Sequence, residues 1–219
     1  MWATDEEKLF RDIIITFTAT SETLQKIKEV FSNMKTLRYG LTRLGTTQIA
    51  LLGILMALEI VIGRFTFGPA SVKVSFTFIV AGLIAKWFGP YWAMIAAFFT
   101  DAISTLISGG GYFWGFALSA LVAAFIYGTS FYNRDKIGWV RAIITVILVL
   151  LIVNTVMNTI WIVILGGISD PHAIASLIWL RGIKELIFIP IQSIILYVFL
   201  NNQAIDGVYR RLMNRVKRS

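Results

Sequence analysis

Ten side chains stand out because they carry charge or amide groups within apolar sequence: Glu59, Arg64, Lys73, Asp101, Arg181, Lys184 and Glu185, with Asn154, Asn158 and Gln192. Polar groups at such positions are costly in hydrocarbon and mark either a solute path or an internally paired site. Catalytic chemistry is poorly provided for. The chain has no cysteine, and its one histidine, His172, is expected in an outer loop beside Pro171 without a His or Cys partner, so neither a metal centre nor a His-activated serine is expected. No G-x-x-x-x-G-K-[ST] loop exists to cradle ATP. An intramembrane acid–base enzyme would need a second carboxylate at the depth of Asp101, and none is evident from the spacing. What remains is reversible capture of a small solute.

The elements that must position these groups are membrane helices. Of 219 residues, 57% are hydrophobic and 15% charged, too apolar a balance for a soluble domain. Apolar runs fall at about residues 46–64, 72–88, 90–108, 113–131, 140–166 and 174–201, each long enough to cross a core of about 30 Å. Phe67-Gly68-Pro69, Phe88-Gly89-Pro90, Gly109-Gly110-Gly111, Tyr132-Asn133-Arg134-Asp135 and Asp170-Pro171 separate them. The expected fold is thus an all-α integral membrane bundle of six transmembrane helices over residues 35–203.

The basic residues orient it. Lys35, Arg38 and Arg43 precede the first span, Lys86 lies at the junction between the second and third, Arg134, Lys136 and Arg141 lie between the fourth and fifth, and Arg210, Arg211, Arg215, Lys217 and Arg218 follow the sixth. The excess of cations on one side places both termini in the cytoplasm. Residues 1–34 read as a cytoplasmic extension with a short amphipathic helix around Leu24, Ile27, Lys28 and Phe31, and residues 204–219 as a basic cytoplasmic tail.

At about 1.5 Å per residue, Asp101 lies near mid-bilayer, Asn154 and Asn158 in the outer half of the fifth span, and Arg181 and Lys184 near the outer start of the sixth. Aromatic residues, including Tyr112 and Trp161, gather at the same level. That composition suits a pocket for an amphipathic, aromatic, anionic solute. Other roles stand beside this one. Arg64 and Lys73 could snorkel to headgroups, Arg181 could bridge to Glu185 four residues on, and Asn154 with Asn158 could join helices. Asp101 could sit in an internal salt bridge. Glu59 is expected to pair with a nearby cation. Lys184 and Glu185, adjacent and therefore about 100° apart on a helix, are not expected to neutralise each other. Ala50, Gly53 and Ala57 form a small-residue stripe, either for packing inside the bundle or for close approach of another helix.

Several spaced motifs then resemble one family. They are Arg-Phe ending the first span, Lys-Val-Ser-Phe opening the second, Phe-Gly-Pro-Tyr-Trp, Asp101, Asn-Thr-Ile-Trp in the fifth span, and Ile-Lys followed by Pro-Ile-Gln in the sixth. Over residues 36–203 the chain resembles the substrate-binding S-components of energy-coupling factor (ECF) vitamin transporters, most of all the folate-specific group. The resemblance implies capture of folate from outside and docking on an ECF transmembrane coupling subunit that carries two ABC-type ATPases. ATP would be bound by those partners only, and this chain would hold no cofactor and perform no reaction. It further implies that Gly53 and Ala57, with Ala50 on the same stripe, face the coupling subunit. Folate's carboxylates would match Arg64, Lys73, Arg181 and Lys184, and its pterin would need Asp101, Asn154 or Asn158. Glu185 stands where the folate pattern leads one to expect an amide, and S-components for hydroxymethylpyrimidine or pantothenate share the scaffold.

Overall fold

The computed structural model describes residues 43–66 and 75–216, with side chains as far as residue 212. The N-terminal extension, Lys35, Arg38 and Lys73 lie outside the described residues. Every described element is helical: α1 (Thr46–Arg64), α2 (Thr77–Ile107), α3 (Trp114–Phe131), α4 (Trp139–Leu148), a π-helical segment (Val149–Met157), α5 (Asn158–Gly166), α6 (Pro171–Leu200) and α7 (Gln203–Val216). Five helices are long and apolar enough to cross a membrane, with α4, the π segment and α5 counted as one continuous rod over Trp139–Gly166.

The second and third apolar runs are joined in α2, but not as a straight rod. Gly89 has φ +83° and ψ 175°, outside helical space, and Pro90 follows it. Glycine reaches that φ without a Cβ penalty, and proline cannot donate to the turn before it. In an unbroken helix Thr77 and Ser104 would lie about 40 Å apart. Instead both line one cavity. The end of α1 touches both limbs, since a Cβ on Gly63 would stand 3.4 Å from Thr77 Cγ2 while Arg64 Nη2 donates to the Ser104 carbonyl at 3.0 Å. The chain therefore doubles back at Gly89-Pro90. Gly128 of α3 lets the bend seat, because a Cβ there would be only 2.3 Å from Pro90 Cα. Small residues then let the returning limb lie close to α3, a device suited to a medium in which apolar burial alone drives little association.

Side chains from all the long helices meet in one core, including Leu55 of α1, Ile84 and Ala96 of α2, Tyr127 and Phe131 of α3, Val146 of α4, and Leu196 of α6. Large apolar residues also cover the outside: Ile54, Leu106, Trp179 and Leu186 are all exposed. Helices apolar on every face are immersed in lipid.

Two expectations change here. Asp170-Pro171 is a helix start and not a loop: Asp170 Oδ1 accepts the His172 amide at 3.1 Å and Pro171 takes the first helical position. His172 thus sits in the first turn of α6. The basic stretch after Asn202 is helical as far as Val216, as α7.

Candidate binding site within the bundle

A cavity of about 390 Å³ opens between α1, both limbs of α2, α3, the π segment and α6. That volume lies in the range of small-ligand sites. Its wall is mostly small or apolar, including Ala81, Ala97, Ala120, Ala123 and Val149, and into it are set Glu59, Thr100, Asp101, Ser104, Tyr127, Asn154 and Gln192.

Two of the sequence-predicted residues, Asp101 and Asn154, line this cavity directly. Asp101 has no salt-bridge partner among the described residues, and its Oδ2 is buried without a hydrogen bond. The Thr100 hydroxyl beside it is in the same condition. Tyr112, in the turn before α3, brings its hydroxyl to Asp101, although neither atom meets strict hydrogen-bond geometry. Burial, and then the Asp101 charge, push the Tyr112 phenol above its ordinary value, so the proton stays on the tyrosine and can be offered to the carboxylate. Asn154 belongs to the π segment, where Thr155 Oγ1 donates to the carbonyl of Leu150, five residues back, at 3.0 Å. A π register shifts side-chain directions relative to an α-helix and recurs at functional sites.

Arg64 sits at the rim. Its guanidinium donates to Ser108 Oγ at 2.8 Å and to the carbonyl of Ser104, a wall residue, at 3.0 Å. Arg181 reaches across from α6 and donates to the Asn154 carbonyl at 2.9 Å, leaving its Nε buried and unpaired. Glu185, 2% exposed, acts electrostatically on both Arg181 and Tyr127. Tyr127 in turn accepts from Gln192 Nε2 at 2.8 Å in the cavity wall. The α6 cluster is thereby connected to the cavity.

Three predicted residues are placed otherwise. Lys184 Nζ lies 2.7 Å from Glu185 Oε1, so the adjacent pair expected to point apart is an ion pair, the length of the two side chains spanning the angle between them. That contact is close without hydrogen-bond geometry, since both Glu185 oxygens still lack a bonded partner. Trp161 spends its indole N–H on Ser119 Oγ at 2.9 Å and packs edge-on against Phe113 at 5.9 Å. Asn158 keeps Oδ1 buried without a partner but does not line the cavity.

Glu59 was expected to pair with a cation. Among the described residues it has no ion-pair partner, and it lines the same cavity as Asp101. The structure therefore does bring a second carboxylate to the Asp101 chamber, contrary to the sequence expectation. Apolar residues on every face of α1 conceal which side looks inward, and that is why spacing missed Glu59. Tyr127 was missed because an aromatic in a span reads as core, and Gln192 was noted only as an amide.

The small-residue stripe is on the outside. Ala50, Gly53 and Ala57 are all exposed, and a Cβ on Gly53 would meet nothing within 4 Å. Packing inside this bundle does not account for it.

A family model described as "ECF transporter, substrate-specific component" matches residues 47–200. The chain belongs to that family. This S-component is a multi-pass protein of the bacterial plasma membrane and associates with an energising module. It is 41% identical over 174 residues to the folate transporter FolT of Leuconostoc mesenteroides, covering 78% of this chain and 94% of that protein. The folate transporter FolT of Clostridium novyi is 38% identical over 145 residues, covering 65% of this chain and 81% of the relative. A crystal structure of FolT bound with folic acid superposes with a TM-score of 0.66 at 36% identity, over 72% of this chain and 94% of that one.

Proposed function

We propose that this S-component binds folate in the cavity between α1, α2, α3, the π segment and α6, and delivers it to an energising module without altering it. The carrying observation is a chamber of ligand size in whose wall the Thr100 hydroxyl and the Asp101 carboxylate are buried without a protein partner. A buried polar group without a partner costs about 1–3 kcal/mol, so a solute that supplies the missing partners gains affinity, and one that cannot is rejected. Folate carries what the chamber lacks. Its pterin ring, with an exocyclic amine and an oxo group, offers donors to Asp101 and Glu59 and acceptors to Asn154 and Gln192, and its glutamate carboxylates suit Arg64, Lys73 and Arg181. Identity to two folate transporters over 94% and 81% of their lengths supports the same choice.

The double-back at Gly89 divides α2 into two crossings, which with the other four long helices makes six. Lys86, Arg134, Lys136 and Arg210 gather about two cavities at one end of the bundle, and the positive-inside rule assigns that end, with both termini, to the cytoplasm. Arg64 and the cavity mouth then face outward. The exposed Ala50-Gly53-Ala57 stripe meets the coupling subunit, which carries two ABC-type ATPases. This chain contributes binding and docking, and its solute leaves chemically unchanged.

Titration of the purified chain with folate, followed by tryptophan fluorescence without nucleotide, tests the assignment. A saturable change with folate is expected. No change with folate, together with a saturable change with hydroxymethylpyrimidine or pantothenate, would overturn it.

A further inference from the structure

A second polar cavity, of about 450 Å³, lies at the opposite end of the bundle, between the loop over residues 132–137 and α7. Its charges are unevenly matched. Lys86, with a side chain 4% exposed, is neutralised by Asp206 at 2.7 Å. Arg210 pairs with Asp135 at 2.7 Å, but both are exposed, and a pair in water holds weakly. Arg134 lines the same cavity and has no acidic partner among the described residues. Asn133 is left-handed at φ +54°, and the amides of residues 133–136 donate to no protein acceptor among the described residues. Two arginines and free loop amides around one concavity are the donors an oxyanion needs.

The surroundings identify the source. Trp87 and Tyr209 stack at 4.8 Å in the cavity wall, and Trp139, just beyond the loop, meets Tyr197 edge-on at 4.9 Å. Aromatic side chains of this kind sit at headgroup level. From Trp139 onward α4 presents Val140, Ile144 and Leu148 along one face, 68%, 52% and 41% exposed. A four-residue repeat makes a continuous apolar track, and it begins at the start of α4, directly after the loop that walls the cavity.

We propose that this cavity binds a phosphate oxyanion, supplied by the headgroup of an anionic phospholipid, with Arg134 and Arg210 as its ligands and the acyl chains running along α4. Arg210 turns from Asp135 to the phosphate. Asp135, 88% exposed at its side chain, is released to water at little cost. The site requires that the bundle lie in a bilayer and is independent of which vitamin the other cavity takes.

The test uses the full purified chain in phosphatidylcholine nanodiscs, with and without phosphatidylglycerol, and separately with inorganic phosphate. Phosphatidylglycerol at ten times its dissociation constant is expected to raise Tm by about 3 °C. The shift should vanish in the double variant Arg134→Gln/Arg210→Gln and persist in Arg211→Gln, an exposed cation on α7 outside the cavity. Helical circular dichroism verifies that the variants are folded. A shift with phosphatidylglycerol alone assigns the lipid as source, and the same variant pattern with inorganic phosphate assigns the free ion to the same site. No shift with either probe would overturn the site, as would a shift that survives the double variant or is lost equally in Arg211→Gln.

Discussion

Replacing Asp101 by asparagine separates a binding group from a structural one, because the two roles predict opposite signs in the empty protein. The substitution keeps size and removes the charge. In the empty chamber Asp101 Oδ2 is buried with no hydrogen bond, and no cation pairs with the carboxylate among the described residues. Removing that charge takes no ion-pair partner away, and the asparagine oxygen can still accept from the Tyr112 hydroxyl, so the Tm of the empty protein should hold or rise. With folate bound, a charge-assisted hydrogen bond is lost, worth about 1.5–3 kcal/mol. Since about 1.4 kcal/mol is tenfold in affinity, Kd should increase about ten- to 150-fold. Fluorescence titration and thermal unfolding of the same preparations measure both quantities. An unchanged Kd would refute the assignment. A fall in Tm alongside the fall in affinity would refute it differently, by making Asp101 part of the scaffold.

Gly53→Leu should leave folate binding intact and abolish uptake by cells carrying the whole transporter, since a Cβ at that position meets nothing within 4 Å among the described residues. Uptake at the wild-type rate would remove the stripe from the docking surface. Gly128→Ala forces a methyl group against Pro90, 2.3 Å from its Cα, and should cost about 1–3 kcal/mol, seen as a lower Tm with the same spectrum. Asp206→Ala strands the buried Lys86 ammonium and should cost about 3 kcal/mol, whereas Lys86→Met/Asp206→Leu should recover most of it. Equal losses in both variants would contradict the desolvation argument.

Much of the fold was legible because hydrocarbon imposes its own length and composition. The first span matches α1 over residues 46–64, and Phe88-Gly89-Pro90 marks the place where α2 doubles back. The π segment was not legible. Val149–Met157 has the same apolar character as an α-helix, so nothing in its composition distinguishes the two registers. In the site, Asp101 and Asn154 were readable from depth alone. Glu59 was not, since depth does not say which way a helix apolar on every face is turned. Lys184 and Glu185 illustrate a further limit: helical angle describes Cβ directions, while long side chains close their own gaps.

The most direct measurement is the structure of the purified chain with folate bound. The account predicts the pterin among Glu59, Asp101, Asn154 and Gln192, with the glutamate end toward Arg64. Folate seated elsewhere, with that chamber empty, would contradict it.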